Sequence, residues 1–146
     1  MAAIALLLIV WLLGLLVRAA TIATLGANTF VVFAVPQSRA AQSRSPVVGY
    51  AFGCAFGAGL SYLSGRVSAW LVGLAEFVPI VVGAIAVGLA MFLMIITDSE
   101  HPPAAGLALG LVLRPWASGD LAPVMLAVTM LAALGRLLRG VLVDLN

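Results

Sequence analysis

Residues Phe77–Thr97 read FVPIVVGAIAVGLAMFLMIIT, an unbroken run of 21 residues without a single charge. An α-helix needs ~20 apolar residues to cross ~30 Å of hydrocarbon, and ~17 suffice with flanking help. This stretch meets that length alone. Its neighbours in the chain repeat the theme: Ala2–Val17, Pro46–Leu63 and Leu121–Gly135 are also free of charge, though shorter. The whole chain agrees, since 64% of its 146 residues are apolar and only 8% are charged. A soluble chain averages ~25% charged residues, so lipid is the main solvent of the outer side chains. Residues 1–146 form a single domain, because no stretch is polar enough to make a linker or a soluble module. The first run, Ala2–Val17, lacks a basic segment before it and reads as a retained span. The net charge of +2 comes from arginines scattered between apolar runs, which speaks for membrane topology and against nucleic acid.

Two shorter apolar pieces, Gly26–Val35 and Ala104–Leu113, lie between the long runs. Ten helical residues rise ~15 Å, about half the hydrocarbon core. Each piece opens in a polar or Gly/Pro cluster, Thr24–Thr29 in one case and Ser99–Pro103 in the other. Each closes at a proline, Pro36 or Pro115, and the next span opens near Pro46 or Pro123. The order long, short, long therefore occurs twice. Interrupted segments at corresponding places in two halves point to a transporter's binding site. The expected fold is an all-α membrane protein with four full transmembrane helices and two short re-entrant or broken half-helices. These form two three-segment repeats, about 1–65 and about 76–143.

The stretches Arg18–Leu25 and Asp98–His101 are expected to be extended chain leading into the half-helices. Re-entrant pieces would set Arg18, Arg39, Arg44 and Arg114 against Arg66, Arg136 and Arg139. Broken crossings would instead gather Arg39, Arg44, Arg136 and Arg139 on one side. Neither split is decisive under the positive-inside rule; the dense Arg39/Arg44 loop is expected in the cytoplasm.

The span after Pro46 carries Gly49, Gly53 and Gly57 at intervals of four, a face that lets a neighbouring helix approach closely. That neighbour is expected within the subunit or in a second copy, and a homo-dimer is the expected assembly.

Chemistry concentrates in Thr97–Gly106, TDSEHPPAAG, which holds two acids and the chain's one histidine before a half-helix. Proline suits the first helical turn, so Pro102-Pro103 starts a helix. A helix N-terminus with free amides binds anions. The expected site lies where two half-helix N-termini converge. Asn28 and Thr29 come from the first, and Glu100, His101, Pro102, Pro103, Ala104 and Ala105 from the second. Asp98 reads as structural. Glu76, Arg66 and Asp120 read as interfacial charges, and Trp11, Trp70 and Trp116 as interfacial anchors. One His and one Cys, Cys54, make no metal site of the usual kind and no disulfide, and no cofactor is called for. G-x-S-x-G, H-E-x-x-H, C-x-x-C and Walker patterns are absent, so an enzyme is not expected.

Glu100-His101-Pro102-Pro103-Ala104-Ala105-Gly106 resembles the signature of the HPP family of integral membrane proteins. A second stretch resembles the same family: Gly26-Ala27, Phe33, Pro36, Ser38, Ala41-Gln42 and Gly49. The resemblance implies four membrane spans. It also implies a small-anion transporter or channel, since plastid and cyanobacterial members are associated with nitrite. Asn28 stands where the family often has Ser, and Tyr50 where a His commonly follows the glycine. The alternative reading is a structural or assembly membrane protein without transport activity. A bacterial inner membrane is the expected location.

Overall fold

The computed structural model describes residues 19–42 and 44–142. The run Ala2–Val17, with it the first member of repeat one, lies outside the described residues. Five α-helices follow in order: α1 Ala19–Ala34, α2 Arg44–Trp70, α3 Val78–Ile96, α4 Pro102–Leu113 and α5 Leu121–Leu138. Short 3-10 turns at Arg39–Ala41, Val72–Leu74 and Ser118–Asp120 join them. Among the described residues no strand occurs. Three helical stretches among the described residues are long and apolar enough to cross a membrane: Arg44–Trp70, Val78–Ile96 and Ser118–Leu138.

The three described long runs, Pro46–Leu63, Phe77–Thr97 and Leu121–Gly135, and the second short piece fall where expected. The first short piece does not. Arg18 lies outside the described residues, but Ala19–Leu25 is helical rather than extended chain, and Asn28 and Thr29 lie in mid-helix rather than at an N-terminus. Gly26, Asn28 and Thr29 are weak helix formers, but tertiary packing overrides them. Leu25, Asn28, Thr29, Val32 and Phe33 recur at helical spacing and are all buried. Thr29 also satisfies its hydroxyl within the helix, donating to the Leu25 carbonyl at 2.8 Å.

Contacts between loops fix the direction of each helix. At one end of the bundle Arg39 pairs with Asp98 at 3.3 Å, Arg44 donates to the Thr97 carbonyl, and His101 Nδ1 lies 2.9 Å from the Ala40 carbonyl. A cleft at that end also joins Gln37, Gln42 and Arg44 with Arg139 beyond the end of α5. At the opposite end Trp116 Nε1 donates to Ser61 Oγ at 3.0 Å, and the Tyr62 and Trp116 rings meet edge to face. Helices α1, α3 and α5 therefore run toward the arginine end, and α2 and α4 run away from it. Neither short helix turns back to the end it came from, which is the broken-crossing geometry. Arg39, Arg44, Arg136 and Arg139 share one end, as that geometry requires. In a Cys54→Ala background, single cysteines at positions 39 and 139 are expected to react with an impermeant thiol reagent from the same side of the membrane. A cysteine at position 114 should react only from the other. Labelling of 39 and 139 from opposite sides would restore the re-entrant arrangement.

Helix α4 is the centre of the bundle. Ala104, Ala108 and Leu111 face α2, Leu109 and Leu113 face α3, and Gly106 faces Thr24 of α1. The glycine face of α2 explains how a short helix can be held so closely. A Cβ at Gly49 would sit 2.8 Å from His101 Cβ, one at Gly53 would sit 2.5 Å from the Ala104 carbonyl oxygen, and one at Gly57 would sit 2.9 Å from Ala108 Cα. The three contacts advance together along both chains, so α2 and α4 lie parallel. Gly83 lets α3 approach Leu109 in the same way, and Gly135 lets α5 meet Val32 of α1. Lipid gives no hydrophobic drive between helices, so this close packing supplies the attraction. The Gly49/Gly53/Gly57 face is thus occupied within the chain and is closed to a second copy.

Candidate functional site

The site is built by the way α3 stops. Ser99 N–H bonds back to the Met94 carbonyl at 2.9 Å and Asp98 N–H to the Ile95 carbonyl at 3.2 Å. These are the two bonds of a Schellman turn, with Asp98 at φ 50° in the left-handed position usually given to glycine. Aspartate is one of the few other residues that tolerates it. The turn reverses the chain and lays Ser99–His101 in an extended path through the protein. Ser99 is fully buried, with its hydroxyl 2.7 Å from that of Thr97. Pro102-Pro103 then starts α4 with His101 as its N-cap in extended backbone.

Those prolines alter what the helix terminus can offer. Neither has an N–H, and Ala104 N–H is used on the His101 carbonyl at 3.0 Å. The first three positions of α4 therefore present no free amide donor, and the expected amide cradle near Ala104 is not formed. The positive end of the dipole remains, but side chains must make the contacts.

Two buried side chains are available to do so. His101 is 1% exposed. Its Nδ1 faces the Ala40 carbonyl, which can only accept, so Nδ1 carries hydrogen and Nε2 is left buried without a partner. Asn28 is 0% exposed, and both its amide nitrogen and oxygen lack partners. Thr24 of α1 faces Gly106 of α4, and the two helices run in opposite directions. One turn on along α1 is one turn back along α4, so Asn28 comes level with Pro102-Pro103 in the first turn of α4.

Tyr50 ties the two sides together. Its ring centroid lies 5.6 Å from that of His101, and its hydroxyl donates to the Thr24 carbonyl at 2.7 Å, one turn from Asn28. The sequence marked Tyr50 only as a departure from the family pattern. The missed signal was a tyrosine inside an apolar span, since a buried phenol needs a polar partner. Tyr50→Phe is expected to cost about 1 kcal/mol of stability through the lost hydrogen bond. An unchanged unfolding midpoint in detergent would contradict that bond.

The other expected site residues divide. Thr29 is consumed by its own helix. Pro103 and Ala104 are buried, Ala105 is half-buried, and Pro102 and Glu100 are exposed. Glu100, His101, Pro102 and Ala105 line one side of a groove of about 140 Å³, whose opposite wall is Met91, Met94 and Ile95 of α3. Farther out, at the arginine end, Arg44 and Arg139 with Gln37 and Gln42 line a larger cleft of about 460 Å³.

The HPP transmembrane-region family model matches residues 1–144. The chain belongs to the HPP transmembrane family. The match spans both halves of the chain and includes the His-Pro-Pro turn. It identifies an integral membrane protein, in accord with the apolar helices. No curated protein and no solved structure matches the chain. Within this HPP chain, the residues that name the signature do two separable jobs: the prolines begin α4, and the histidine holds Ala40 of the turn before α2 while leaving its other ring nitrogen buried without a partner.

Proposed function

We propose that this HPP protein passes a small anion of the nitrite class across the membrane, at a site formed by Asn28 and His101 beside the first turn of α4. The observation that carries the reading is the pair of fully buried polar side chains with unpartnered hydrogen-bonding atoms. Leaving such a group unsatisfied costs about 1–3 kcal/mol. A merely structural position would be served better by an apolar side chain. Ionisable and polar groups inside membrane segments mark substrate paths, and these lie at the positive end of a helix dipole worth up to ~2 kcal/mol to a partly buried anion. Weak binding of this order suits a site that must also release. Arg44 and Arg139 in the outer cleft would raise the local anion concentration at that mouth.

The site differs from the one expected at two converging helix N-termini, because Asn28 contributes a side chain from mid-helix and α4 has no free amides in its first turn. Nitrite uptake into proteoliposomes, measured above protein-free vesicles, tests the reading. Uptake no faster than in protein-free vesicles would favour a structural or assembly role.

A homo-dimer remains part of the proposal, on a different face from the glycines. A second copy would cover the apolar outer side of α3, where Ile80, Phe92, Ile95 and Ile96 are exposed. Mass measurement in native membranes reads this directly, and monomers alone would refute it.

A further inference from the structure

Every described arginine is exposed, and the chain has no lysine. Among the described residues, the interior around Asn28 and His101 therefore offers a buried anion no fixed positive charge. An unpaired charge taken out of water is very costly. The groups around the histidine confirm the lack. Tyr50 faces it from α2, the Ala40 carbonyl from the turn before α2, and Met94 from α3. Asn28, from α1, comes level with the first turn of α4. Glu100, its neighbour in the chain, is exposed in the same groove. Arg39 is held on Asp98 and Arg44 on the Thr97 carbonyl, both at the surface. Among the described residues, His101 is the one buried side chain that can turn into a cation.

From this we infer that the anion crosses together with one proton, taken up on the free Nε2 of His101, so that transport is electroneutral. The inference rests on the proposed anion site. Nδ1 keeps its hydrogen on the Ala40 carbonyl throughout. The proton enters from the aqueous side that supplies the anion and completes an imidazolium that pairs with it. Both leave on the other side, and the ring returns to its neutral form. A proton riding on the acid itself, with its O–H donated to Nε2, gives a complex of the same charge and the same stoichiometry.

Initial rates of nitrite uptake into proteoliposomes, less those of protein-free vesicles, test this in the wild-type protein. A potassium diffusion potential of about 100 mV, inside negative, opposes a lone anion by ~2.3 kcal/mol, or about 50-fold. Electroneutral entry should change by less than about twofold under the same potential, the margin allowed for a carrier with no net charge movement. An inward proton gradient should accelerate it, with about one proton consumed per nitrite, as the paired charges require. His101→Gln keeps a donor for the Ala40 carbonyl but cannot take up a proton, so proton-driven uptake should be lost. Uptake that is strongly slowed by the potential and indifferent to the proton gradient would overturn the coupling while leaving the anion site standing. Proton-driven uptake undiminished in His101→Gln would also overturn it. An absence of nitrite uptake by the wild type would remove the transport reading itself.

Discussion

Gly53→Ala is expected to cost about 3 kcal/mol, at the upper end of the range for overpacked interiors. The added methyl would lie 2.5 Å from the Ala104 carbonyl oxygen. That oxygen belongs to the backbone of α4 and cannot swing aside, so α2 and α4 must separate along their shared face. Gly59 provides the control on the same helix. Nothing lies within 4 Å of a Cβ built there, and Gly59→Ala should be neutral or stabilising by up to ~1 kcal/mol. Unfolding in detergent, followed by circular dichroism or by access of a thiol reagent to buried Cys54, reads both variants. Equal stability for the two would contradict the close parallel packing of α2 on α4. The effect should appear in the monomer, because this face is filled from within the chain.

Asn28→Leu should separate function from folding in the opposite sense. Leucine keeps asparagine's branching at Cγ and leaves no orphaned amide, a gain of about 1–3 kcal/mol, but its bulkier methyl groups cost a similar amount by overpacking, so stability should stay close to that of the wild type. Nitrite uptake should nevertheless fall by at least about tenfold, the equivalent of losing ~1.4 kcal/mol of stabilisation along the path. A purely structural asparagine predicts wild-type uptake at that same stability.

The features that could be read from the sequence were those imposed by local chemistry. An uncharged run such as Phe77–Thr97 has few alternatives to a span, and Pro102-Pro103 fixes a helix start because their missing N–H groups are harmless there. The tight step of Gly49, Gly53 and Gly57 announced a packing face. It did not say which helix would fill it, since that depends on α4 lying parallel beside it. The start of α1 was misjudged because Gly26, Asn28 and Thr29 resemble loop chemistry. Packing of the Leu25, Val32 and Phe33 stripe, with Thr29 bonded to its own backbone, holds them in helix. The Schellman turn at Asp98 was hidden for lack of a glycine. Tyr50 lay hidden in an apolar span because its partners, His101 and the Thr24 carbonyl, are distant in the chain.

The candidate site was legible in its members more than in its construction. Asn28 and His101 stand out as polar residues in apolar surroundings, and both prove fully buried. The role given to backbone amides failed because the same prolines that start α4 remove its first donors, and His101 takes the next.

The central claim is that the orphaned side chains of Asn28 and His101 await a small anion. Nitrite uptake should be compared in proteoliposomes holding matched amounts of wild type, Asn28→Leu and His101→Gln, with unfolding stability measured on the same preparations. The account predicts rapid wild-type uptake, at least about a tenfold loss in each variant, and Asn28→Leu about as stable as the wild type. Wild-type rates in both variants, each correctly folded, would contradict it.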